Sequence, residues 1–234
     1  RGLIRRRERA IEEIDDEQAG RFQAQNWVIR GELFGNAGQT QKALAWAERA
    51  VREARASEWN DELGAALRLR ASLKRELGEL EEALSDARRA RRRFEESGNV
   101  EGSARADYIL GRVEQVAGET KAAEKHFKSA LAWCSAADDR AMKALVTCDI
   151  GYIFIAREEY GRARRALEAS LEMAREVGNR KVTAKSWNRL GEIARFQRDW
   201  SSARECYRKA EELFQVPRNQ HVTNLNLAFV EIAD

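Results

Sequence analysis

The chain has 234 residues, 43% of them hydrophobic and 35% charged, with one Pro and a formal net charge of +3 from 42 basic and 39 acidic side chains. Such near-cancellation suits a soluble surface and argues against a dedicated polyanion binder. The longest apolar run, IGYIFIA at 150–156, falls far short of the roughly 20 residues that a membrane-spanning helix needs.

Cys134, Cys148 and Cys206 are widely spaced and form no C-x-x-C pair, which fits free thiols in a reducing cytoplasm better than a disulfide framework. Abundant Ala, Leu, Glu and Arg lose little rotamer freedom in a helix, and no stretch alternates in the manner of a strand. The expected class is all-α, with about twelve helices.

In chain order, RRRERAIEEID at 5–15 already carries a helical pattern, so residues 1–20 are read as the second helix of a preceding repeat. Five repeats follow, at about 24–62, 63–102, 103–142, 143–182 and 183–219, and 220–234 is read as the first helix of a further one. Their register is fixed by Ala43, Ala83, Ala123, Ala163 and Ala203, spaced by 40 each time. Seven residues after each stands Ala50, Ala90, Ala130, Ser170 or Ala210, and twelve before each stands Gly31, Ala71, Gly111, Gly151 or Gly191. Five before come Gly38, Gly78 and Gly118, then Glu158 and Arg198. Small residues at these steps let two antiparallel helices approach closely, and a glycine between them accepts φ > 0 and ends the first. One hairpin cannot bury its apolar faces alone, so neighbours must stack. The whole of 1–234 is thus expected to form one solenoid, read as a piece of a longer polypeptide. Gly98–Asn99 and Gly178–Asn179 are expected to cap the ends of long second helices.

This order resembles the tetratricopeptide repeat, best in Trp187, Leu190, Gly191, Ala203, Tyr207 and Ala210. The 40-residue period is similar to that of kinesin light chains, Pins-type scaffolds and bacterial signalling regulators. Repeat 2 departs from the pattern, with Leu67, Arg70 and Lys74 where an aromatic, Leu and an aromatic are expected. The resemblance implies a right-handed superhelix whose first helices line a concave, partner-binding groove. It places Gln25, Val28 and Glu32 there from repeat 1. Repeat 2 contributes Arg68, Ser72 and Arg75, and repeat 3 contributes Arg105, Tyr108, Arg112 and Gln115. Repeat 4 contributes Leu145, Cys148, Tyr152 and Ile155, and repeat 5 contributes Lys185, Asn188, Glu192 and Arg195.

Four arginines on one wall suit carboxylates, since guanidinium pairs with them bidentately. The apolar and aromatic set of repeat 4 suits an anchor. An acidic segment with one apolar or aromatic anchor is therefore one reading. A solvated groove whose arginines are satisfied by Glu32, Glu76 and Glu192 is the other. The expected function is protein–protein recognition, as a scaffold or a sensor controlling an attached catalytic or signalling domain. The alternatives are self-assembly through terminal helices and nucleic-acid binding through faces such as ARRARRRF (87–94), where neighbouring acids weaken the phosphate reading. A chaperone-type carboxylate clamp is not matched: its places hold Val28, Glu32, Leu69, Arg105 and Ile109, of which only Arg105 has the right charge. His126 and His221 are the only histidines, His221 is expected just after a loop that Pro217 opens, and no local group would activate Cys148. No enzyme activity, metal or cofactor is expected.

Overall fold

The structure is a computed structural model in which residues 16–213 and 217–233 are described. Among them are eleven α-helices and no strand: α1 (Asp16–Asn36), α2 (Thr40–Ala56), α3 (Asn60–Leu77), α4 (Leu80–Glu96), α5 (Val100–Val116), α6 (Thr120–Ala136), α7 (Arg140–Ala156), α8 (Tyr160–Glu176), α9 (Arg180–Phe196), α10 (Trp200–Glu211) and α11 (Pro217–Ala233). Odd-numbered helices are the first of each hairpin and even-numbered the second. The helix expected over 1–20 lies mostly outside the described residues. Hairpin pairs stack in sequence as an α-solenoid, each second helix also packing on the next first helix in α2–α3, α4–α5, α8–α9 and α10–α11. Two compact units result, one ending at His126 and the other beginning at Phe127.

The small residues do what their spacing demands. Ala43, Ala83, Ala123, Ala163 and Ala203, and with them Ala50, Ala90, Ala130, Ser170 and Ala210, have no exposed surface. A Cβ added at Gly191 would stand 2.6 Å from the Tyr207 ring, so only glycine admits that ring between α9 and α10. Where Ser170 replaces the alanine, its hydroxyl donates to the Ala144 carbonyl (2.7 Å) and meets the Ser186 hydroxyl (3.1 Å), so the buried polar atom is satisfied. In the first unit Trp27, Trp59, Leu63, Leu67, Leu73 and Phe94 fill the core. In the second, Tyr207 packs with Ala194, Ala203 and Val230.

Backbone geometry repeats at half the side-chain period. Every twentieth residue from 38 to 198 has positive φ: Gly38, Glu58, Gly78, Gly98, Gly118, Asp138, Glu158, Gly178 and Arg198. Each sits in a turn of two or three residues, closed for example by Gln39 N–H to the Phe34 carbonyl (2.9 Å) and Asp199 N–H to Ala194 (2.9 Å), the six-to-one bond of a Schellman end. Glycine tolerates this conformation, while Glu58, Asp138, Glu158 and Arg198 hold it at a cost of about 1–2 kcal/mol each.

Three expectations are corrected here. Asn99 and Asn179 do not extend the C-terminal caps. Their side chains accept from the Gly102 and Val182 amides and so open the next helices, as Asp139 and Asp199 also do. The long period is not loaded on the second helix either: α5 and α6, or α7 and α8, are 17 residues each. Pro217 begins α11 rather than a loop, at a position where its missing N–H costs nothing.

Candidate partner-binding faces of the first helices

On the first unit, the expected wall of arginines is already engaged. Arg68 Nη2 donates to Glu32 Oε1 across α1 and α3 at 2.9 Å, and about two turns away Gln25 Nε2 donates to Glu62 Oε1 at 3.0 Å. The Arg75 guanidinium lies 3.6 Å from Glu76. On α5, Arg105 donates to Glu101 at 2.8 Å, one turn earlier, and Arg112 donates to the Tyr108 hydroxyl at 2.9 Å. Ser72 and Gln115 are half-buried on the same helices, and Tyr108 is 8% exposed, so its ring is largely core. Gln25, Val28, Ile29, Glu32, Glu62, Ala65 and Arg68 line a shallow depression of about 320 Å³. Arg68, Arg75 and Arg105 thus meet Glu32, Glu76 and Glu101, and Arg112 meets the Tyr108 hydroxyl. Half-exposed pairs of this kind are worth roughly 0.2–1 kcal/mol each.

The second unit differs. Asp149 on α7 is fully buried, and its Oδ1 accepts from both Lys185 Nζ and Arg189 Nη2 of α9, each at 3.1 Å. The Arg189 guanidinium also lies over the Tyr152 ring, 4.2 Å from its centroid, while Tyr152 keeps 37% of its surface exposed. Asn188 donates to Glu192 (2.9 Å) and accepts from Thr223 of α11 (3.2 Å). Burial lifts the Glu192 carboxyl above the ordinary carboxylate range, against the pull of Arg189, Arg195 and the Asn188 hydrogen bond. Burial, with Glu192 nearby, pushes Tyr207 up to about 12. Arg195 lies over Phe196 (4.5 Å) and Phe229 (5.4 Å), both about half exposed. Lys185, Arg189 and Arg195 outnumber Asp149 and Glu192 on this face. Cys148 and Ile155, expected to line the groove, are 0% and 6% exposed, which takes the thiol out of reach of any partner.

Arg189 and Asp149 were not among the expected positions. The register offered a signal, because Arg189 stands 40 residues after Asp149 in an otherwise apolar stretch. Arg70, where the pattern wants Leu, makes a bidentate pair with Asp86 at 2.6 and 2.7 Å, so the departure in repeat 2 comes with its own partner. The basic run on α4 is paired internally: Arg91 with Glu95, Arg92 and Arg93 with Glu96, and Arg89 with Asp86. His126 bonds Asp107 through Nδ1, and the His221 side chain lies outside the described residues. Among the described residues no cluster of His, Cys, Asp and Glu is placed to hold a metal, and no helix is long and apolar enough to cross a membrane.

Residues 102–176 and 140–215 match the family model described as tetratricopeptide repeat. Sequence comparison with curated proteins gives no match. Several solved structures share the fold. BtubC (BKLC) from P. vanneervenii is 19% identical with a TM-score of 0.68, over 90% of this chain and 89% of that one. A Rap protein complexed with Competence and Sporulation Factor is 17% identical with a TM-score of 0.67, over 95% and 66%. The apo quorum sensor NprR from B. thuringiensis is 13% identical with a TM-score of 0.67, over 98% and 62%. The chain thus spans most of the first of these and less than two thirds of the other two.

Proposed function

Because the chain belongs to the tetratricopeptide-repeat family, we propose that it is a non-catalytic recognition module that binds a segment of a partner protein or a peptide along its first helices. The observation that carries this reading is the second-unit face, where Tyr152, Phe196 and Phe229 stay exposed beside Arg189 and Arg195. Exposed aromatic rings beside guanidinium groups are the composition of binding hot spots. The excess of cations there favours a segment carrying carboxylates, with an apolar or aromatic side chain as anchor. On the first unit the paired arginines leave shape and hydrogen bonding as the means of recognition. The Rap complex and the quorum sensor lend support to a regulatory role in which binding is passed to an attached signalling or catalytic domain, in the cytoplasm.

The test is capture of partners by the wild-type chain and by a Tyr152→Ala, Arg195→Glu, Phe229→Ala variant of equal helicity. The captured proteins are identified by mass spectrometry and the binding segment is then titrated directly. A partner held by the wild type, lost by the variant and weakened by salt supports the reading. Equal binding by both refutes it.

A second reading, self-association, draws on α11, where Leu225, Phe229 and Ile232 are 58%, 51% and 87% exposed and share one face at steps of four and three. Sedimentation that stays monomeric as concentration rises would remove it.

A further inference from the structure

Between the two hairpins of α4 to α6 lies a set of titratable groups that neither helix packing nor partner recognition uses. Asp107 and Glu114 on α5 are 4% and 7% exposed. The His126 ring of α6 stands between them, with Nδ1 2.9 Å from Asp107 Oδ1 and Nε2 3.7 Å from Glu114 Oε1. In the 40-residue register these three places hold Trp27, Phe34 and Trp46 in the first repeat, so apolar packing has been exchanged here for charge. We propose that the buried Glu114 carboxyl, facing His126 and Asp107, holds a proton in the folded chain, and that its release as pH rises loosens the junction of α4, α5 and α6.

The argument is one of donors and acceptors. A neutral imidazole carries a single N–H. With Nδ1–H given to Asp107, the Nε2 lone pair would look at Glu114, so a proton must sit on Nε2 or on Oε1 for the pair to attract. The second Glu114 oxygen, Oε2, is buried with no hydrogen bond, so an ionised Glu114 is poorly solvated on that side. Burial accordingly raises the Glu114 carboxyl above its ordinary range. His126 and Arg88 pull against that shift, and Glu119 and Asp107 add to it. The groups facing the cluster are thus Arg88 and Arg91 from α4, the latter 3.4 Å from Asp107, then Glu119 from the α5–α6 turn and the three members themselves.

The sign follows from linkage. Free glutamate has released its proton above about 4.3. A folded chain that keeps one beyond that range binds more protons than the unfolded chain, so folding weakens as pH rises. One extra bound proton lowers the folding constant by about tenfold per pH unit until Glu114 releases it.

The experiment is urea unfolding of the full chain from pH 4 to 9, for wild type and Glu114→Gln, whose amide can donate to Nε2 but does not titrate. Hydrogen exchange of the α5 and α6 amides is followed alongside, with those of α8 and α9 as the internal reference. The expected result is a folding constant that falls with pH in the wild type by up to about tenfold per unit more steeply than in the variant. Protection in α5 and α6 should be lost ahead of that in α8 and α9. Parallel pH dependence of the two proteins overturns the proposal. Should the variant fail to fold, protection factors that change equally in both regions of the wild type overturn it as well.

Discussion

Removing the Asp149 carboxylate tests whether the face of the second unit is held by its buried ion pairs. Asp149 has no exposed surface and accepts from two cations at 3.1 Å, with Lys185 and Arg189 side chains only 18% and 13% exposed. Taking one partner from a buried pair costs roughly 3–5 kcal/mol, since an uncompensated charge is left behind. Both cations here end long stems that can swing to water, which recovers part of that sum. Asp149→Ala should therefore cost about 2–4 kcal/mol by denaturant unfolding, the loss appearing first in hydrogen exchange of α7 and α9. Replacing all three, as Asp149→Leu with Lys185→Met and Arg189→Met, should restore most of it, because apolar side chains of similar volume stand in well for buried charges. A cost below about 0.5 kcal/mol for Asp149→Ala, the level of a surface substitution, would refute the reasoning and leave the two cations free to serve a partner.

Three further outcomes are expected. Glu158→Gly and Arg198→Gly should each raise stability, by about 0.5–1 kcal/mol, because the strain of positive φ is relieved and only glycine's extra chain entropy is lost; unchanged or lower melting temperatures would contradict this. Asp86→Trp should cost less than Asp86→Ala in urea unfolding, because it recreates beside Arg70 the stacking that Arg30 makes over Trp46 at 5.0 Å one repeat earlier. For Glu192→Gln, the raised carboxyl means that the wild type loses stability as pH climbs above the ordinary value of 4.5. The variant should then be the more stable at neutral pH, with its advantage fading as pH falls towards 4.5 in thermal melts.

The sequence made the hairpins legible because close helix contact tolerates few side chains. An alanine or serine at 43, 50, 83, 90 and onward leaves a mark that one chain suffices to read. The turns were legible only where glycine stands. Glu58, Asp138, Glu158 and Arg198 adopt the same left-handed backbone, held by the same carbonyl bonds, and nothing in a charged residue announces it. The candidate face was harder still. With 35% charged residues, every arginine has several carboxylates that could meet it, and which one does depends on packing. Glu32 for Arg68 was foreseeable; Asp149 for Lys185 and Arg189, or Asp86 for Arg70, became plain only once the helices were in place.

Four junctions between successive hairpins are built from different chemistry: glutamine and glutamate with arginine between α1 and α3, arginine with aspartate between α4 and α5, one aspartate with two cations between α7 and α9, asparagine with threonine between α9 and α11. In an array of interchangeable modules any hairpin could follow any other, and gain or loss of a repeat through recombination would leave sound joints. Here the joints work as an address code. Moving the α7–α8 hairpin elsewhere would carry Asp149 away from the paired cations Lys185 and Arg189, and deleting it would take from those two the carboxylate they share. The order of the hairpins is thus inherited as a unit, and this chain should change by substitution far more readily than by shuffling.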